Sequence, residues 1–132
     1  MLQTLTLHTS SRNEFLDLTR EIQAAVLESG VREGFCHLFV PHTTAALTIN
    51  ENADPSVKSD ILMVLNKIIS DQEPYRHLEG NSPAHIKASL LGPQLTLMVS
   101  SGRLVLGTWQ GIYLCEFDGP RSRRLHLKVV AD

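Results

Sequence analysis

Residues 3–8, QTLTLH, alternate polar and apolar, so Leu5 and Leu7 share a face and the segment is predicted to be a strand. The period then changes. Ser11 and Glu14 are spaced as a capping box, and Phe15, Leu18, Ile22 and Val26 follow at helical spacing up to Gly30. That predicts one amphipathic helix. GFCHLFV, from Gly34, and ALTIN, from Ala46, have the β-branched and aromatic content of strands. Asp54-Pro55 marks a helix start, with Asp54 as N-cap and Pro55 at the first helical position. Val57, Ile61, Leu65 and Ile68 predict its buried stripe.

Residues 70–94 break every period and hold three prolines and two histidines, so a long loop is expected, with a short helix at AHIKASLLG. QLTLMV, a strand from Leu104 interrupted by glycines, IYLCEFD and RLHLKVV then read as consecutive antiparallel strands. Two principal helices and six to seven strands imply an α+β single domain spanning 1–132, with a mainly antiparallel sheet. In IYLCEF, Ile112, Leu114 and Glu116 point one way, and Tyr113, Cys115 and Phe117 the other. Both faces are apolar, so both require a cover. Two helices can supply one. The other needs a second sheet layer or another subunit.

Bulk properties narrow the function classes. The chain has 132 residues, with 42% hydrophobic, 20% charged and a net charge of −2. This suits one globular domain and argues against nucleic acid as a main partner. No apolar run approaches a membrane span, and the N-terminus lacks the layout of a signal peptide. Cys36 and Cys115 lie in apolar strands, which suits buried free thiols and a reducing, cytoplasmic setting.

The chain has six histidines, which differ in position. His8 and His126 are expected at the surface, and His37, on the face of Phe35 and Phe39, in the core or an interface. His42, His77 and His85 stand at element edges or in the irregular loop, where side chains can converge. Three imidazoles can make an open zinc site, although the spacing fits no compact ligand motif, and bonds to turn backbone are the alternative. Glu116 on a strand face needs a partner, or acts as a general acid or base. Glu51 has no evident structural duty. Arg121, Arg123 and Arg124 flank a turn and can hold phosphate or simply face solvent. Trp109 can stack on a flat ligand, but a core plug is the default.

PHTTAALTINENADP, YRHLEGNSPAHIKASLLG and GRLVLGTWQGIYLCEFDGPRSRR occur in that order over nearly the whole chain. Together they resemble the YjbQ-like family, also called the secondary thiamine-phosphate synthase family. The resemblance implies a homotrimer and a polar pocket where His42, His77 and His85 meet near Asn50, Glu51, Trp109 and the DGPR turn. It implies a divalent metal, zinc, on the three histidines. His42, Glu51 and Glu116 would carry the chemistry. Thr43, Thr44, Asn50, Trp109, Arg121 and Arg123 would bind a phosphorylated small molecule. The family name refers to joining a pyrimidine diphosphate to a thiazole phosphate. A non-catalytic trimer that binds metal or an anion is the competing expectation.

Overall fold

A computed structural model describes all residues, 1–132. Its elements in chain order are β1 (Gln3–His8), β2 (Glu14–Asp17), α1 (Thr19–Ser29), β3 (Gly34–Phe39), β4 (Ala45–Glu51) and α2 (Pro55–Ile68). There follow α3 (Ser82–Leu91), β5 (Gln94–Ser100), β6 (Arg103–Leu104), β7 (Gln110–Glu116) and β8 (Ser122–Ala131). All strand pairs are antiparallel. They form two sheets, β1-β8-β3-β5-β6 and β2-β7-β4.

The α+β expectation holds, and β7 shows how the double-sided strand is covered. Ile112 and Leu114 pack into the main core with Leu38, Leu97, Leu125 and Leu127 of the large sheet. Tyr113, Cys115 and Phe117 form a second core with Phe15 and Ala46, under Ala84 and Ala88 of α3 and the inner edge of α2. The covers are therefore a second sheet and a helical layer within one chain. No second subunit is needed there. The exposed face lies elsewhere, on the outside of the large sheet.

Three other expectations are corrected. Residues 14–17 form a strand, not the first turn of a helix. Glu14 does accept hydrogen bonds from the Ser10 and Ser11 N–H groups, but this closes a turn. Leu16 and Asp17 pair with Leu114 and Tyr113. Asp17 then accepts from the Thr19 N–H and hydroxyl, so α1 starts three to four residues later than its apolar spacing suggests. Phe15 joins the α2/α3 side, while Leu18, Ile22 and Val26 fill the main core. The late strands are not one meander. β5 and β6 make a hairpin, β7 crosses to the small sheet, and β8 returns between β1 and β3.

Helix α2 starts as expected. Asp54 accepts from the Ser56 N–H at 2.9 Å, with Pro55 in the first turn. Its stripe differs: no residue of α2 is buried, Val57, Ile61 and Leu65 are half-covered, and Ile68 is exposed. The helix rests on the second core along a narrow line only. The short helix expected after the loop is α3.

Candidate functional site

One end of the β4–β7 pair gathers the polar chemistry. Ala45 opposes Glu116 there, so the residues before β4 (His42, Thr43, Thr44) meet those after β7 (Asp118–Arg121). The turn between β7 and β8 is tight because Gly119 lies against the Ser11 carbonyl and the side chains of Thr9 and Glu116, where a Cβ would clash. Asn81 at the start of α3 closes the third side, donating to the Asp118 carboxylate at 2.9 Å.

Two ion pairs nest around that turn. The inner one is Glu116–Arg123, with side chains 0% and 2% exposed. Arg123 Nε donates to Glu116 Oε1 at 2.9 Å, and its Nη2 donates to the other carboxylate oxygen and to the Thr44 hydroxyl at 2.8 Å. Glu116 also accepts from the Thr9 hydroxyl and the Asp118 N–H. Burial alone would raise the Glu116 pKa. The bonds from Arg123, Asp118 and Thr9 outweigh it and hold the carboxyl below its ordinary value. This corrects two expectations. Glu116 is a fixed carboxylate, not an acid or base facing a substrate, and Arg123 is sealed against it rather than free to hold phosphate. Thr44 is buried too, its hydroxyl committed to Arg123.

The outer pair is Asp118–Arg121, at 3.2 Å, with side chains 22% and 49% exposed. It borders a hollow of about 230 Å³ lined only by non-hydrophobic residues: Thr43, Thr44, His77, Glu79, Asn81, His85, Asp118 and Arg121. His77 and His85 stand edge to face there, with ring centroids 5.3 Å apart. His85 also borders a neighbouring hollow of about 280 Å³ together with His42 and Thr43. It thus links the three histidines in order, with His42 on one side and His77 on the other.

His42 is held differently from the other two. Its Nε2 accepts from the Arg124 N–H at 2.9 Å, which places its ring proton on Nδ1. Burial, with the nearby charges of Arg123 and Arg124, lowers its pKa and keeps the ring neutral. These arrangements bear on the zinc expected at His42, His77 and His85. No three His, Cys, Asp or Glu side chains in the chain form a group that could hold a metal ion. His42 already spends its Nε2 lone pair on the backbone. The donor set does not fit zinc as arranged, and no step is derived through a metal.

The remaining expected residues lie at the other end of the ladder. Asn50 opposes Gly111 and Glu51 opposes Gln110, six residues along β4 from Ala45. At about 3.3 Å per residue, that is roughly 20 Å away. Trp109 is there as well, 62% exposed, so it neither plugs the core nor reaches the histidines. Glu51 contributes its carbonyl to the Tyr113 hydroxyl. Within one chain, Asn50, Glu51 and Trp109 are not part of the histidine site.

Glu79, Asn81 and Asp118 also belong to the hollow; none is among the expected site residues, although Asp118 opens the DGPR turn expected near the pocket. Two had readable signals: Asn81 precedes Ser-Pro as a helix N-cap residue, and Asp118 lies three residues before Arg121 across a Gly-Pro turn. Glu79, 4.0 Å from His77, had none.

The fold is a two-sheet α+β domain with a polar, histidine-lined hollow where its strands turn. Residues 3–132 match the model of the YjbQ-like UPF0047 proteins, and the chain belongs to that family. It is 49% identical to the UPF0047 protein YugU of Bacillus subtilis, over 98% of this chain and 99% of that protein. It is also 49% identical to a UPF0047 protein of Methanocaldococcus jannaschii, covering 100% and 96%. A solved structure of an uncharacterized YjbQ/UPF0047 family protein from Clostridium acetobutylicum superposes with a TM-score of 0.95 at 51% identity, over 97% of this chain and 99% of that one. A YbjQ-like protein of unknown function from Sulfolobus solfataricus also gives 0.95, at 32% identity, over 100% and 97%.

Proposed function

We propose that the hollow between β4, β7 and α3 binds the phosphate or diphosphate of a small molecule, and that His77 and His85 move protons on it. The observation that carries this reading is the composition of the hollow. An arginine held by Asp118, two adjacent imidazoles and the Thr43 hydroxyl face one space with no apolar lining. Arg121 Nε donates to the Asp118 carbonyl and Nη2 to its carboxylate, which fixes the guanidinium plane. Nη1 carries donors that neither bond uses, suited to an oxyanion. The imidazoles can donate to phosphate oxygens and protonate a leaving group.

Thiamine-phosphate synthase-like transfer is the reaction this reading puts first. The C–O bond to the diphosphate breaks, pyrophosphate leaves with the electron pair, and the thiazole nitrogen forms the new C–N bond. Arg121 and the histidines would stabilise charge on the departing diphosphate. Two measurements test it: calorimetric titration of pyrophosphate, and formation of thiamine phosphate from the pyrimidine diphosphate and thiazole phosphate. Binding and turnover that both fall in His85→Ala support an enzyme. Binding without turnover in wild type supports an anion-binding accessory protein, a reading favoured by the commitment of Glu116 to Arg123. Absence of both rejects the site.

A further inference from the structure

Helix α3 carries a stripe that the fold does not use. Its buried residues are Pro83, Ala84, Lys87 and Ala88. Ser82, His85 and Ile86 stand at i, i+3 and i+4 on another side of the helix, and with Tyr75 and His77 they line a hollow of about 330 Å³. Ile86 is 39% exposed and belongs to neither core. The Tyr75 hydroxyl donates to the Ser70 carbonyl, so the ring rather than the hydroxyl is what Tyr75 offers the hollow. No Asp, Glu, Lys or Arg lines this space. A lone exposed isoleucine is ordinary on a surface. One that shares a hollow with a tyrosine ring and two imidazoles forms the wall of a recess.

The recess adjoins the polar hollow described above. His77 and His85 line both, with ring centroids 5.3 Å apart and edge to face, so the imidazole pair is the boundary between them. On one side of that boundary stand Thr43, Asp118 and Arg121. On the other stand Tyr75 and Ile86. A molecule lying across the imidazoles therefore meets charge at one end and uncharged carbon surface at the other. About 150 Å³ of apolar cavity is enough to hold a benzene ring, so the recess has room for one ring.

From this we infer that the site takes aryl and heteroaryl phosphate esters as a class, the ring seated against Tyr75 and Ile86 and selected by shape alone. The inference rests on the phosphate reading of the polar hollow. Tyr75 gives the ring an aromatic neighbour to stack on, and Ile86 gives it an aliphatic wall. The recess has little with which to read the ring's heteroatoms. With the imidazole N–H groups on the phosphate and the Tyr75 hydroxyl spent on Ser70, the Ser82 hydroxyl is the one side-chain polar group left. A site built to hydrogen-bond a substrate rejects an analogue without the partner group by several powers of ten, whereas an apolar wall discriminates weakly. A carbocyclic ring is therefore accepted about as well as a nitrogen heterocycle. A pyrimidine diphosphate is then one member of the class and not a uniquely recognised substrate.

Calorimetric titration of the full chain with pyrophosphate, methyl phosphate, benzyl phosphate and pyridin-3-ylmethyl phosphate tests it. Benzyl phosphate binds about tenfold tighter than methyl phosphate, through burial of the ring. The pyridyl ester matches benzyl phosphate within about threefold. Ile86→Asn, at an exposed helix position, and Tyr75→Ala each bring benzyl phosphate to within about threefold of methyl phosphate and leave pyrophosphate affinity at the wild-type value. Far-UV circular dichroism checks folding, and Ile86→Asn alone decides if Tyr75→Ala disturbs the loop. Pyrophosphate binding with no advantage of benzyl over methyl phosphate overturns the inference and leaves the phosphate reading standing. A benzyl advantage that survives Ile86→Asn overturns the placement of the ring. A pyridyl ester bound more than about tenfold tighter than benzyl phosphate overturns selection by shape. Failure of all four compounds to bind rejects the phosphate reading and this inference with it.

Discussion

Glu116–Arg123 and Asp118–Arg121 are the same chemistry placed two residues apart on either side of one turn. The inner pair is shut in the protein, and every oxygen of its carboxylate is bonded to Thr9, Asp118 or Arg123. The outer pair is open on one side to a hollow it shares with His77 and His85. The difference is position: Glu116 and Arg123 lie within β7 and β8, whereas Asp118 and Arg121 lie in the turn between them. Arg123 points inward between the sheets, whereas Arg121 precedes β8 and turns out. A buried pair fixes geometry and leaves nothing for a ligand. A half-exposed pair keeps donors to offer. Residue type alone does not distinguish a structural arginine from a binding one.

The largest effect is expected at the inner pair. Arg123→Met leaves a buried carboxylate without its cation and should cost about 3–5 kcal/mol in urea unfolding, with the hollow's ligand affinity lost only through the fold. The pH dependence follows from the lowered Glu116 pKa. In wild type the stabilisation is present above the ordinary value of 4.5 and is lost as pH falls through the lower, folded value. In Arg123→Met the burial that raises the pKa is no longer opposed by the arginine, so this acid-dependent loss shrinks or reverses, and the variant's deficit against wild type should be largest above the carboxylate range and narrow as pH falls. A variant that unfolds like wild type would make the inner pair dispensable.

Arg121→Ala and His85→Ala come next, and both should show the reverse of the inner-pair pattern. Each should weaken pyrophosphate binding by about 1.5–3 kcal/mol, the worth of one charged hydrogen bond, and shift stability by no more than about 0.5 kcal/mol. If Arg121→Ala destabilised the protein as Arg123→Met does, the contrast between the pairs would collapse.

Lys87 sharpens the same point, because it is a buried charge with no carboxylate partner. It is 4% exposed, donates to Asn66 at 2.6 Å and to Asn13, and lies over the Phe117 ring. Burial is the main cause of its lowered pKa. A lysine lowered in the folded state weakens the fold while it is charged, and that penalty fades as pH rises from the folded pKa toward the unfolded one near 10.4. Lys87→Met should therefore be within about 1 kcal/mol of wild type at pH 7, on the stabilising side, with the difference shrinking in alkaline urea titrations. The smallest effect belongs to Trp109→Ala. At the far end of the ladder and exposed, it should change stability by under about 0.5 kcal/mol and leave pyrophosphate affinity unchanged. Weaker binding there would reunite the two ends of β4.

Much of this was legible in the chain. Period-two alternation located the strands, Asp54-Pro55 placed the start of α2, and the parity of IYLCEF correctly divided its side chains between two cores. His77, His85 and Arg121 were legible as candidates because they are polar residues in the irregular loop or beside a turn, whereas Thr43 entered through the family resemblance. The segment 14–17 was not, since Phe15 and Leu18 satisfy a helical spacing and a strand-then-helix path equally well. Only pairing with β7 chose between them.

The sequence by itself determined the local elements apart from β2, the α+β class and the family, because each rests on short-range spacing or on an ordered series of motifs. Tertiary structure decided three things that depend on long-range pairing. The crossover of β7 out of the late strands made a two-sheet core and covered the double-sided strand without a partner. The register of β4 on β7 set Glu51 and Trp109 roughly 20 Å from the histidines. The depth of each arginine decided which carboxylate is locked and which hydrogen-bond donors remain for a ligand, because a charge removed from water must be paired inside the protein.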